Sequence, residues 1–222
     1  MMKKQLGFTL MEIAIVLVVI GILLGGVLKG QELLTNAKIK RLKNDFNGIV
    51  AAYHAYEDRY RAMPGDDSLA NNANRGWTDG TAGNGNGVLA NNDAFAAAAG
   101  ARENQDFWQH LRYSGLVAGN PAGAVLNTGG TANPTHSFNG QIGISNVGAG
   151  WGLGLAGIIL CAGNLPGKAA QSLDADMDDG LLNSGQIRAI VGNNNIEPAG
   201  GTPAAAPYLD DGVAYYTVCK TL

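Results

Sequence analysis

The sequence is poor in charge, cysteine and proline. Charged side chains make up 15% of its 222 residues, against about 25% in an average globular protein. Fifteen basic and 18 acidic groups leave a net charge of −3, which excludes a broadly basic nucleic-acid-binding surface. Two cysteines and three dispersed histidines supply no closed zinc set. The seven prolines all lie at or beyond Pro64, so nothing before that point forbids a continuous helix. What the chain has instead is glycine, 33 residues of it, which points to long loops and to surfaces that rely on amides and contact rather than on ion pairs. With 46% hydrophobic residues, the length suits one compact domain plus an appendage.

A mean hydropathy of zero conceals an uneven distribution. Between Phe8 and Leu28 the only charge is Glu12, and a helix of that length spans about 30 Å, the thickness of a bilayer core. The segment is a membrane anchor or a targeting signal. Before it stands Met1-Met2-Lys3-Lys4-Gln5-Leu6-Gly7, a basic leader that stays in the cytoplasm under the positive-inside rule while the rest is exported. A secretory signal carries small residues after its apolar run; here that end reads Val27-Leu28-Lys29-Gly30-Gln31-Glu32 and fits poorly. The small residue precedes the run, at Gly7. Cleavage there removes the basic leader and leaves the apolar helix on the mature chain.

The stretch Leu6-Gly7-Phe8-Thr9-Leu10-Met11-Glu12-Ile13-Ala14-Ile15-Val16-Leu17 resembles the class III leader of type IV pilins and of the related pseudopilins of type II secretion. The resemblance covers about 25 residues, and its elements must all occur in register to produce it. It implies that a prepilin peptidase cuts between Gly7 and Phe8, that the new N-terminal Phe8 is methylated, and that Glu12 serves filament assembly. An acid in a membrane helix is costly and needs a partner or a proton. The Phe8 amine of a neighbouring subunit is one such partner; alternatively Glu12, one turn from the helix end, snorkels to the interface or stays protonated. Loss of Lys3 and Lys4 with the leader takes the net charge from −3 to −5.

Apolar periodicity continues beyond the anchor. Leu42, Phe46, Ile49, Tyr53, Tyr56 and Tyr60 recur every three or four residues and predict an amphipathic half-helix lying on a soluble domain, ended near Pro64-Gly65. A spine helix from Phe8 to Arg61 is about 80 Å long at 1.5 Å per residue. The expected organisation is a leader at 1–7, a transmembrane half-helix at 8–28, an amphipathic half-helix at 29–61 and a globular head at 62–222. Many pilins carry a proline late in the apolar segment, and this chain does not. Gly21, Gly25, Gly26 and Gly30 are candidate weak points in the helix or close-packing positions.

From Pro64 to about Asn104 the composition is that of a loop. Gly83 to Gly87 has the look of a phosphate loop but lacks a preceding strand and a Gly-Lys-Ser/Thr ending. In pilins this region is exposed and variable, so partner contacts are expected there. Glu103 to Val117 predicts a short helix with Phe107, Trp108 and Leu111 in the core. Gln141 to Ser145, Leu153 to Cys161, Ile187 to Val191 and Val213 to Cys219 have the pattern of strands. The expected fold class is α+β, a long N-terminal spine helix packed on a C-terminal antiparallel β-sheet. Cys161 and Cys219 fall in the exported part, where one disulfide is their expected use. Many type IV pilins enclose a C-terminal region with a disulfide and pseudopilins more often lack one, which favours the pilus branch modestly.

The run Asp174-Ala175-Asp176-Met177-Asp178-Asp179-Gly180 prompts a calcium reading at Asp174, Asp176 and Asp178. The glycine is one place late for an EF-hand and Gly185 stands where the glutamate belongs, so an Asp-rich capping turn is preferred and no cofactor is expected. His54, His110 and His136 accompany no nucleophile motif, and no catalysis is expected. The sequence therefore describes a filament subunit, a type IV pilin serving adhesion, motility or DNA uptake, with a type II secretion pseudopilin as the alternative and a membrane-anchored enzyme or binding protein as the third. Expected partners are further copies of the chain, the prepilin peptidase and the assembly platform, with no specific nucleic acid. The expected location is the bacterial inner membrane as precursor, then an extracellular pilus or a periplasmic pseudopilus.

Overall fold

A computed structural model describes residues 9–77, 79–90, 94–95, 102–121, 133–147, 153–192 and 207–222. The chain forms two compact units, 1–38 and 39–222. Helix α1, Leu10–Tyr60, contributes to both. Within the first unit it is long and apolar enough to cross a membrane, and its large side chains from Leu10 to Leu28 lie exposed. It runs unbroken through Gly21, Gly25, Gly26 and Gly30, where an added Cβ meets no other atom within 4 Å.

The second unit opens on the part of α1 that carries the predicted stripe. Leu42, Phe46, Ile49, Tyr53 and Tyr56 are buried, and Tyr60 packs half-buried beside them. Each full burial of such a side chain stabilises the fold by about 1.5–3 kcal/mol. They join one cluster with Phe107, Trp108 and Leu111 of α2, Glu103–Tyr113, and with one face of the sheet. The helix predicted to reach Val117 stops at Tyr113 because Gly115 turns left-handed, after which the Leu116 and Val117 amides return to the Leu111 carbonyl.

Among the described residues the sheet has four antiparallel strands, β1 (Ile142–Val147), β2 (Gly157–Pro166), β3 (Ile187–Val191) and β4 (Tyr215–Thr221), in the order β1-β2-β4-β3. The arrangement of long helix and antiparallel sheet is the expected α+β class. β2 begins at Gly157 rather than Leu153, since Gly154 and Gly157 have positive φ and break the extended path. β4 begins at Tyr215 rather than Val213, because the Asp211 carboxylate takes the Val213 and Ala214 amides into a turn. Helix α3, Gly167–Met177, follows β2 directly and is absent from the sequence reading. Its Ala169, Ala170 and Leu173 are buried.

The two faces of the sheet separate by strand alternation. Ile142, Ile144, Leu160, Ala162, Ile187, Ala189, Tyr216 and Val218 share the core with α1. Ile159, Cys161 and Cys219 face the other way, into a smaller cluster with Ala94, Phe95 and Leu153. Gly143 lets the chain close over this side, because a Cβ there would overlap the Ala94 carbonyl.

Candidate functional site

At the N-terminal site, Gly7 and Phe8 lie outside the described residues, and the description begins at Thr9. The Thr9 amide and hydroxyl each donate to Glu12 Oε2 at 2.8 Å, and the Glu12 amide donates back to Thr9 Oγ1 at 3.3 Å. This is a reciprocal capping box, and α1 starts on the residue after its cap. The Thr-x-x-Glu spacing was present in the sequence and would have located the helix start. Glu12 therefore has an intrachain partner that a reading confined to neighbours and protons overlooks.

In the head, the segment from Pro64 to Ala90 is organised by buried carboxylates. Asp67 accepts from the Tyr56 hydroxyl and the Leu69 amide at 2.8 Å each and pairs with Arg75. Burial pulls its pKa upward, but the Arg75 guanidinium, the Leu69 amide and the Tyr56 hydroxyl outweigh it and hold the carboxyl below the ordinary range. Glu103 accepts from the Asn84 side chain at 2.8 Å and from the Ala90 amide at 2.7 Å. Gly83 to Gly87 does form an anion cradle, and the anion is internal: the Gly85, Asn86 and Gly87 amides converge on the Asp66 carboxylate at 2.7, 3.1 and 2.6 Å. Gly85 and Gly87 have φ of 72° and 81°, the left-handed conformation that lets successive amides point at one acceptor.

Helix α2 presents polar groups to the same segment. His110 Nδ1 accepts from the Gly65 amide at 2.8 Å, so its Nε2 is the protonated nitrogen, donating to the Thr81 carbonyl at 2.7 Å. Burial pushes this imidazole below its ordinary pKa. His136 is held the same way, Nδ1 accepting from the Phe138 amide and Nε2 donating to the Gly163 carbonyl, and is also lowered by burial. His54 is exposed, 3.5 Å from Glu57. The three imidazoles stand in three separate environments and do not converge.

The acidic run turns the chain from α3 into β3. The structure brings together Asp174, Asp178 and Asp179, with one oxygen of each within 4.8 Å of the others. Asp176 points elsewhere, to Lys43 at 3.7 Å. Each of the three grouped acids already accepts hydrogen bonds. Asp174, fully buried, takes the Tyr208 hydroxyl at 2.6 Å and the Gly180 amide; Asp178 takes the Ile187 amide at 2.8 Å; Asp179 takes the Ser184 hydroxyl and the Leu181 amide. Burial pushes Asp174 above the ordinary carboxylate range. The Ile187 and Ala189 amides face away from β4, and they are met by Asp178 and by the Leu182 carbonyl. The turn thus covers the Ile187 and Ala189 amides on the outer edge of β3.

Cys161 and Cys219 form a disulfide with Cα atoms 4.0 Å apart. They are direct partners across β2 and β4, at a position of the register where the two backbones do not exchange hydrogen bonds.

A membrane-length apolar helix entering an α+β head with a cross-strand disulfide defines the class, an anchored chain with a C-terminal globular domain. The prokaryotic N-terminal methylation motif matches residues 2–28, and with it the chain carries the class III prepilin leader that is the signature of the type IV pilin family. No curated protein and no solved structure matches the chain. Motif and fold point to a structural subunit rather than an enzyme, made as a membrane-anchored precursor for prepilin peptidase and assembled into filaments.

Proposed function

We propose that the chain is a pilin, a structural subunit of a type IV pilus, which polymerises through α1 after cleavage between Gly7 and Phe8 and methylation of Phe8. The methylation motif at residues 2–28 carries this reading. The Cys161–Cys219 disulfide supports the pilus over the pseudopilus branch. In the precursor, Glu12 caps its own helix through Thr9. After cleavage the Phe8 amine of an adjoining subunit competes for the same carboxylate, and a bond in which both partners carry charge is stronger than those from the uncharged Thr9 donors that it replaces. Exchange of Thr9 for that amine is how assembly satisfies an acid at membrane depth.

Shearing of surface fibres, followed by mass spectrometry of their subunit, is the test. The expected subunit begins at a methylated Phe8. A processed chain recovered only from the periplasm overturns the pilus reading in favour of the pseudopilus, and an unprocessed chain overturns both. Glu12→Ala is expected to leave cleavage intact and abolish incorporation; normal fibre yield from that variant would exclude the assembly role.

A further inference from the structure

Asn84-Gly85 and Asn86-Gly87 stand back to back in the loop around Asp66. Glycine after asparagine is the dipeptide most open to deamidation. The glycine nitrogen loses its proton and attacks the asparagine Cγ; the new N–Cγ bond forms as the bond to the side-chain nitrogen breaks, ammonia leaves, and water opens the cyclic imide to aspartate or isoaspartate. The step requires a free glycine amide and a side chain able to swing onto it.

Neither is present here. The Gly85 amide donates to the carbonyl of Asp66 at 3.0 Å and to its carboxylate at 2.7 Å, and the Gly87 amide donates to the other carboxylate oxygen at 2.6 Å. An amide facing a carboxylate gives up its proton reluctantly, since two anions would then share the site. Both asparagine side chains are also engaged. Asn84 donates to Glu103 and accepts from the Asn86 amide at 3.0 Å, and Asn86 accepts from the Val88 amide at 2.9 Å.

We propose that Asn84 and Asn86 are latent deamidation sites and that Asp66, by holding both glycine amides, suppresses the reaction. Release of the loop is then irreversible. Each event adds a carboxylate beside Asp66 and Glu103, where like charges oppose re-formation of the cradle.

The test is peptide mass spectrometry of the full chain in detergent during incubation at pH 8. Asn84 and Asn86 are expected to react at least about tenfold more slowly in the folded protein than in urea, the factor that 1.4 kcal/mol represents. Asp66→Ala is expected to bring both sites close to the urea rate. Glu103→Ala removes the acceptor of the Asn84 side chain but leaves the Asp66 bonds to the Gly85 and Gly87 amides, so both sites stay slow in that variant whether or not Asp66→Ala folds. Equal rates in folded and urea-treated wild type would overturn the proposal. So would an Asp66→Ala protein that reacts no faster than wild type, or a folded Glu103→Ala protein in which Asn84 and Asn86 both reach the urea rate.

Discussion

Asp106 and the two buried histidines pull the stability of the head in opposite directions with pH. Burial raises Asp106 to about 6, against the partial opposition of Arg102 and Thr81. Its protonated form is favoured by folding, so its contribution is full below about pH 4 and is lost as the pH rises through 6. His110 and His136 are lowered; their contribution is present above the ordinary histidine range, near 6.5, and is lost as the pH falls below it. Asp106→Asn is therefore expected to raise the unfolding free energy measured in urea at pH 8, by up to about 3 kcal/mol from the size of the shift, with the gain vanishing towards pH 4. In the Asp106→Asn variant, where the opposing carboxylate is gone, the same titration from pH 7 to pH 5 is expected to show the loss of the histidine contribution. A variant gaining equally at both ends of the range would contradict this assignment.

At the scale of elements, legibility followed the range of the interactions. The stripe from Leu42 to Tyr56 was readable because α1 buries one face and the period of that face is local. The strands were readable in number and only roughly in extent, since Gly154, Gly157 and the Asp211 turn set ends that apolar content does not mark. Helix α3 was hidden because its buried face is made of Ala169, Ala170 and Leu173 beside a conspicuous acidic run. The loop from Pro64 to Ala90 looked irregular because its order comes from polar side chains distant in sequence, 19 residues from Asp66 to Gly85 and 45 from His110 to Gly65. The acidic turn is an element-scale device as well. With Asp178 on the Ile187 amide and Asp174 on Tyr208, its oxygens act as hydrogen-bond acceptors for the chain itself. We expect the melting temperature to be the same in calcium and in chelator; a calcium-dependent rise would restore the metal reading.

On the scale of the whole molecule, every buried core residue among the described ones lies at or beyond Ile39, in the second compact unit. A fragment of residues 39–222 is expected to fold without detergent and to retain the Cys161–Cys219 disulfide, as circular dichroism and thiol titration would show; an aggregated or unfolded fragment would refute the independence of the head. The position of β4 has a separate consequence for the order of events in folding. It is the last strand in sequence and an inner strand in space, flanked by β2 and β3. Until it arrives, β2 has one unpaired edge and β3 has no strand beside it, both open to unwanted pairing with other chains. The disulfide waits for the same strand, since Cys219 lies within it. Sheet closure and covalent locking are thus a single late step, and a truncation that removes β4 takes out the middle of the sheet, not its margin.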